Sequence, residues 1–168
     1  MKEPSSHRAF HTISVKIENQ IKDSIPVPTL DSRKVASTLE RLAAEGANTT
    51  RIAHVVVSTW QAIDAALAPV IGVKGVSALY GRSLHLVGTA HPWLAAAHQG
   101  PHAPMDLGLL GVALAQQESA IAAAGAGAHL QSLHQLLGSL IGTALAGQLL
   151  LPAWDTAFDG IAVQDISP

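Results

Sequence analysis

The residues best suited to chemistry lie in one segment, Ile71–Leu86. Lys74 precedes Gly75 at a predicted helix start, where free backbone N–H groups and the helix dipole favour an anion. Arg82 and His85 are three residues apart, so they are neighbours on one face of the predicted helix. Since a guanidinium binds carboxylate or phosphate groups well, the segment predicts a site for an anionic ligand or an acidic partner.

Two aromatic residues extend this prediction. Tyr80 and Trp93 would give the ligand a stacking surface, so the predicted binding residues are Lys74, Tyr80, Arg82, His85 and Trp93. The segment is not a phosphate-binding P-loop, because the spacing of glycine, lysine and serine or threonine is missing. The alternative interpretation is structural, with Lys74 in solvent, Arg82 capping a helix or pairing with an aspartate, and His85 packed.

Nine histidines and no cysteine raise the question of a metal. His98 and His102 flank Gly100-Pro101, which prevents a regular helix from aligning them. His129 and His134 are five residues apart, which places them on different faces of a helix. Without cysteine ligands or an adjacent carboxylate, no metal and no cofactor are predicted.

Catalytic motifs give no positive indication of an enzyme. The sequence has no Gly-x-Ser-x-Gly, no His-Glu-x-x-His and no close pair of carboxylates, since Asp64, Asp106 and Glu118 are isolated. No catalytic residue is predicted, and a non-enzymatic protein is favoured.

The elements that position these residues belong to an apolar chain. Its 168 residues are 48% hydrophobic and only 13% charged, which suits one domain with a substantial core. A net charge of −2 gives no basic excess, so nucleic acid is not expected as a partner. No secretory signal is visible in residues 1–20, and we expect a cytoplasmic protein.

Charges are sparse in the later two-thirds of the chain. Between Arg82 and Asp155 the only Asp, Glu, Lys or Arg residues are Asp106 and Glu118, and Leu136–Trp154 has none. Glycines and polar residues in that stretch argue against a membrane span. We therefore expect a buried or subunit-interface helix there, and a homo-oligomer.

The periodicity predicts an all-α fold, a bundle of about five helices over residues 31–154. An extended arm, 1–30, precedes the bundle and contains a possible strand at 12–17, and a surface tail, 155–168, follows it. The predicted helices are 33–45, 51–67 or beyond, 76–87, 107–124 and 128–151. Their predicted N-caps are Asp31 or Ser32 for the first, one of residues 48–50 for the second, and Asp106 for the fourth. A turn is predicted at 93–97 and a loop at 98–104. Breaks are predicted at Pro69–Gly75, at the hinge Gly125–Gly127 and at Pro152.

The last predicted helix has one broad apolar face and an opposite face of small, uncharged residues. Gly138 and Gly142 form a Gly-x-x-x-Gly pair, which permits close approach of two helices. Packing within the chain is favoured over a dimer contact.

His134 begins the sequence His-Gln-Leu-Leu-Gly-Ser, which resembles the His-x-Leu-x-Gly-Ser core of histidine phosphotransfer domains. The resemblance covers six residues, and Leu137 stands where the family usually has a lysine. It implies a helical bundle whose histidine, here His134, accepts a phosphoryl group from an aspartate of a response regulator.

A broader resemblance covers about half of the chain. Ile71–Leu86, Leu137–Gly142 and Leu149–Trp154 are similar to segments of small bacterial helical proteins found alongside sensor kinases and response regulators. The resemblance implies a signalling adaptor. We therefore expect a non-enzymatic signalling or protein-interaction domain linked to two-component regulation, whose partner is a receiver domain or a sensor kinase. Histidine phosphotransfer and sensing of a small anionic ligand are the alternatives.

Overall fold

The protein is all-α over the residues that the computed structural model describes, 30–100 and 102–162. The elements are α1 Leu30–Ala44, α2 Thr49–Val87, a 3-10 helix at Pro92–Ala97, α3 Leu107–Ala115, α4 Ser119–Ile141 and α5 Thr143–Ala162. This confirms the predicted helical bundle. Most of the predicted arm, 1–29 with its possible strand, and residues 163–168 lie outside the described part of the chain.

Two helix starts have caps that the sequence predicts. The side chain of Asn48 accepts a hydrogen bond from the Arg51 backbone N–H at 2.9 Å, and that of Asp106 accepts one from Leu109 at 3.1 Å. Each cap satisfies an N–H group that has no partner within its own helix. The predicted N-cap of α1 is wrong, because that helix already begins at Leu30 and includes Asp31.

α2 is one long helix with a bend inside it. Gly72 has φ 80° and ψ 161°, which interrupts the helical backbone there, while the helix continues through Pro69. The predicted break between Pro69 and Gly75 is therefore confirmed, and Gly72 is the residue that makes it. Only glycine adopts this φ without strain, since a side chain would meet its own backbone.

The predicted hinge at Gly125–Gly127 is wrong. These residues lie inside α4, and the preceding helix ends earlier, at Ala115. Their role is close packing. A side-chain carbon at Gly125 would lie 2.4 Å from a Trp93 ring carbon, and one at Gly127 would lie 3.0 Å from Ala36 of α1. Glycine therefore lets the 3-10 helix and α1 approach α4.

The predicted helix 128–151 is divided in two. α4 ends at Ile141, Gly142 has φ 93°, and α5 begins at Thr143 and continues through Pro152 to Ala162. The helix thus extends past the predicted start of the tail at residue 155. The Gly-x-x-x-Gly pair serves this turn, since Gly138 faces Thr143 across it.

A single apolar core joins the helices. α4 packs on α1, α2 and α5, and α2 also packs on α3 and α5. The largest fully buried side chains include Trp60, Tyr80 and Trp154. Among the described helices only α2 is long and apolar enough to cross a membrane by length and composition, and most of its apolar stretch is not buried.

Candidate functional site

An open groove lies between the C-terminal half of α2 and the segment that contains the 3-10 helix. Its volume is about 840 Å³, within the range of small-molecule sites. The lining residues are Ala78, Gly81, Arg82, Leu84, His85, Gly88, Thr89, Ala95, His98 and Gly100. The groove is thus mainly carbon and glycine backbone, with one permanent positive charge.

Two of the predicted binding residues meet in this groove. Arg82 and His85 both line it, one turn of α2 apart, and both side chains are exposed. Among the described residues the only ion pair is Arg41–Glu45, at 3.9 Å. Arg82 therefore forms no ion pair with a described carboxylate, and the predicted pairing of Arg82 with an aspartate does not occur among the described residues.

His98 forms the opposite wall, and sequence analysis did not single it out as a groove residue. A side-chain carbon at Gly81 would lie 2.7 Å from the His98 Nε2 atom, so the imidazole fits there because residue 81 is glycine. The Nδ1 atom of His98 is buried and makes no hydrogen bond with the described residues. The signal available in the sequence was glycine at position 81, one residue before Arg82.

The wall is tied to α2 by two hydrogen bonds. The Tyr80 hydroxyl donates to the Ala97 carbonyl at 3.3 Å, and the Ser77 hydroxyl accepts from the Met105 backbone N–H at 3.3 Å. Tyr80 is fully buried, so it supports the groove from below and offers no stacking surface. Its pKa is raised above the usual range by burial and, to a lesser extent, by the negative charge of Asp106.

The other two predicted binding residues lie elsewhere. Lys74 is exposed beyond the Gly72 bend, and it is not among the residues that line the groove. Trp93 is half-buried, with its ring against Gly125 of α4. The structure therefore brings together Arg82 and His85, adds His98, and places Tyr80 beneath them.

An aromatic cluster extends inward from the groove. The His129 ring lies 4.7 Å from that of Trp60 and 5.3 Å from that of Tyr80, and the Tyr80 ring lies 6.0 Å from that of His98. His129 is fully buried, and neither of its ring nitrogens makes a hydrogen bond of good geometry with the described residues. Burial lowers the pKa of His129 to about 3, opposed only in part by the nearby Tyr80 backbone, so the ring is neutral at pH 7.

His134, the candidate phosphoryl acceptor, is buried. Only 2% of the residue is exposed, and its ring stacks on Trp154 with centroids 6.3 Å apart. Phosphoryl transfer between proteins needs an imidazole that the partner aspartate can reach. In this conformation His134 does not meet that condition.

A second surface surrounds the two glycine bends. We call it the bend surface and define it by Val70, Ile71, Val73, Leu140 and Leu145. Val73 is 69% exposed and Leu140 is 68% exposed. The two bends are adjacent, because Ile71 and Leu140 line the same shallow depression of about 410 Å³, which Arg82 also borders.

The described residues assemble no metal centre, and comparison with known proteins assigns no function. No group of three histidine, aspartate or glutamate side chains that could hold a metal occurs among residues 30–100 and 102–162. Comparison of the chain with models of protein families, with curated proteins and with solved structures found no match.

Proposed function

We propose that the chain is a non-enzymatic signalling domain that binds a protein partner through the bend surface. The observation that carries this proposal is the exposure of large apolar side chains around both bends, where Lys74 is the only charged residue on the two flanking segments, 65–75 and 136–147. Contiguous apolar surface of this kind typically marks a protein interaction site in a soluble protein.

The shape of the bend surface also supports binding. Gly72 and Gly142 turn the backbone with φ of 80° and 93°, so the apolar residues beside them are carried on two neighbouring helix ends. Interface cores are depleted of charged residues, and this surface has the same composition. The groove adjoins this surface at Ala78 and Arg82 and opens away from the bends toward the 3-10 helix.

The proposed partner is a receiver domain or a sensor kinase of two-component regulation. This choice rests on the resemblance of three segments to small bacterial proteins that accompany such systems. Several of the residues concerned, including Ile71, Val73, Lys74 and Leu140, lie at or beside the bends. The partner would be bound without chemical turnover, because the sequence contains no recognised catalytic motif.

Binding of the purified chain to receiver and kinase domains from the same genome, measured by calorimetry, tests the proposal. We expect the double variant V73Q/L140Q to weaken binding at least about tenfold, since two central apolar contacts become polar. The matched control is V112Q/I121Q, which alters two exposed apolar residues of α3 and α4 away from the bends. Failure of all receiver and kinase domains to bind would overturn the proposal, and so would equal loss of binding in the two double variants.

A further inference from the structure

We infer that the groove between α2 and the 3-10 helix is a binding site for a small carboxylic acid with an apolar body. The acid group would contact Arg82, and the body would lie along the carbon-lined floor. The groove shares Ala78 and Arg82 with the depression at the bends, but the rest of its lining faces the 3-10 helix and not the bends. The two tests use different ligands and can fail separately.

The shape of the groove fits a small molecule. Its 840 Å³ opens where Gly88 and Gly100 contribute no side chains, while the space at Gly81 is taken by the His98 ring. Ala78 and Ala95 line it from α2 and from the 3-10 helix. A site made of backbone and short apolar side chains around a few convergent polar groups is typical of ligand pockets.

The charge of the groove determines the ligand class. Among the described residues of the lining, only Arg82 carries a permanent charge, and no described carboxylate lies within ion-pairing distance of it. A planar guanidinium binds a carboxylate through two parallel N–H···O hydrogen bonds. A cationic ligand would be repelled by Arg82.

A phosphate ligand fits this lining less well than a carboxylate. The doubly charged phosphate usually gathers several cations or a row of backbone N–H groups at a helix start. Here one guanidinium stands alone in the middle of the helical arm that follows Gly72, and the one other positive residue of the region, Lys74, is outside the groove. One positive charge therefore matches one carboxylate.

One imidazole completes the polar part of the site. His85 is exposed on the same wall as Arg82, and an imidazole can hydrogen-bond a ligand through its ring nitrogens. His85 therefore suits a hydrogen bond to the carboxylate or to a hydroxyl on the acid. The ring of His98 closes the opposite wall by packing, because its Nδ1 atom is buried and its Nε2 atom lies against Gly81.

Calorimetric titration with matched probes tests this inference. Octanoate and phenylacetate supply the acid on an apolar body, octanamide is the uncharged counterpart of octanoate, and octylammonium is the cation of equal length. We expect at least one acid to bind with an affinity at least about tenfold above that of octanamide, because the amide lacks the negative charge and offers one acceptor oxygen where the carboxylate offers two. Octylammonium should bind more weakly still.

Three variants separate charge, shape and location. R82Q should weaken binding of the acid at least about tenfold and leave octanamide unchanged, whereas R41Q, which alters an exposed arginine of α1, should change neither. Ala95→Phe should block the groove and weaken binding of both probes, because Ala95 lines the groove and not the depression at the bends, and A78F replaces it if Ala95→Phe does not fold. V73Q/L140Q should retain wild-type binding, which separates the groove from the bend surface.

Each contrary result overturns the inference. Absence of saturable binding of both acids to the wild-type chain at millimolar concentrations excludes the site. Equal affinity of R82Q and the wild type for the acid excludes the assigned charge contact. Loss of binding in V73Q/L140Q with retention in A78F and Ala95→Phe would place the acid on the bend surface.

Discussion

At the scale of the residue, the environment of His129 links stability to pH. The ring is fully buried between Trp60 and Tyr80, and its pKa falls from 6.5 to about 3 because burial disfavours the charged form. Between these pH values the unfolded chain binds a proton that the folded chain does not. The free energy of unfolding therefore decreases as the pH is lowered from about 6.5 toward 3.

We expect His129→Phe to reduce this pH dependence, by at most about 1.4 kcal/mol per pH unit, because one proton per molecule is removed from the linkage. Urea unfolding of the wild type and the variant at several values between pH 7 and 4 measures it. His54→Gln is the control, since His54 is an exposed histidine of the same helix. Parallel pH profiles of His129→Phe and the wild type would show that His129 does not carry the linkage.

The contact of Gly125 with Trp93 gives a second prediction for a single residue. In Gly125→Ala the new methyl group would lie 2.4 Å from a Trp93 ring carbon, so either the ring or α4 must move. We expect a net loss of about 1–3 kcal/mol in the free energy of unfolding, despite the better helix propensity of alanine. Gly111→Ala is the control, because its nearest neighbour is 3.6 Å away. Equal stability of Gly125→Ala and the wild type would contradict this packing.

At the scale of the element, the bend between α4 and α5 depends on one glycine. A side chain at Gly142 would meet no atom within 4 Å, so only its φ of 93° opposes substitution. We expect Gly142→Ala to cost about 1–2 kcal/mol. Gly147→Ala, inside α5 with equally open surroundings, should instead gain about 0.5–1 kcal/mol. Thermal unfolding of the pair measures both, and a stabilised Gly142→Ala would contradict the assigned bend.

The helices and the break at Gly72 could be predicted from periodicity, caps and helix-breaking residues, but the division at Gly142 could not. Asp106 and Asn48 carry capping side chains, and the structure uses both. Gly125 and Gly127 resemble a hinge in sequence, yet they serve close packing against side chains distant in the chain. Gly142 bends the helix although Leu140 and Ile141 continue the apolar pattern. A glycine required for a positive φ and a glycine required for close packing cannot be told apart in the sequence until the neighbouring residues in the fold are known.

The groove was partly predictable, because some of its residues are neighbours along one helix and others meet only in the fold. Arg82 and His85 are neighbours by helical spacing, which a sequence displays directly. His98 joins them only because the chain turns back after α2 and Gly81 leaves room for its ring. Lys74 seemed part of the group in sequence, but the Gly72 bend lies just before it and the groove begins further along α2.

At the scale of the whole molecule, the exposed apolar residues at the bends predict self-association through the same surface when the proposed partner is absent. We expect the mass measured by sedimentation equilibrium to rise with protein concentration from 17.4 kDa toward twice that value. V73Q/L140Q should remain monomeric over the same range, while V112Q/I121Q should behave as the wild type. A wild-type chain that stays monomeric at every concentration would contradict this expectation.

The three tryptophans described above sit in three different parts of the molecule. Trp60 is enclosed in the aromatic cluster, Trp93 of the 3-10 helix packs against Gly125 of α4, and Trp154 of α5 stacks on His134. Fluorescence of variants that retain one tryptophan each would therefore follow the core, the groove wall and α5 separately. The three tryptophans are thus intrinsic optical probes that report whether the core, the groove wall and α5 unfold together.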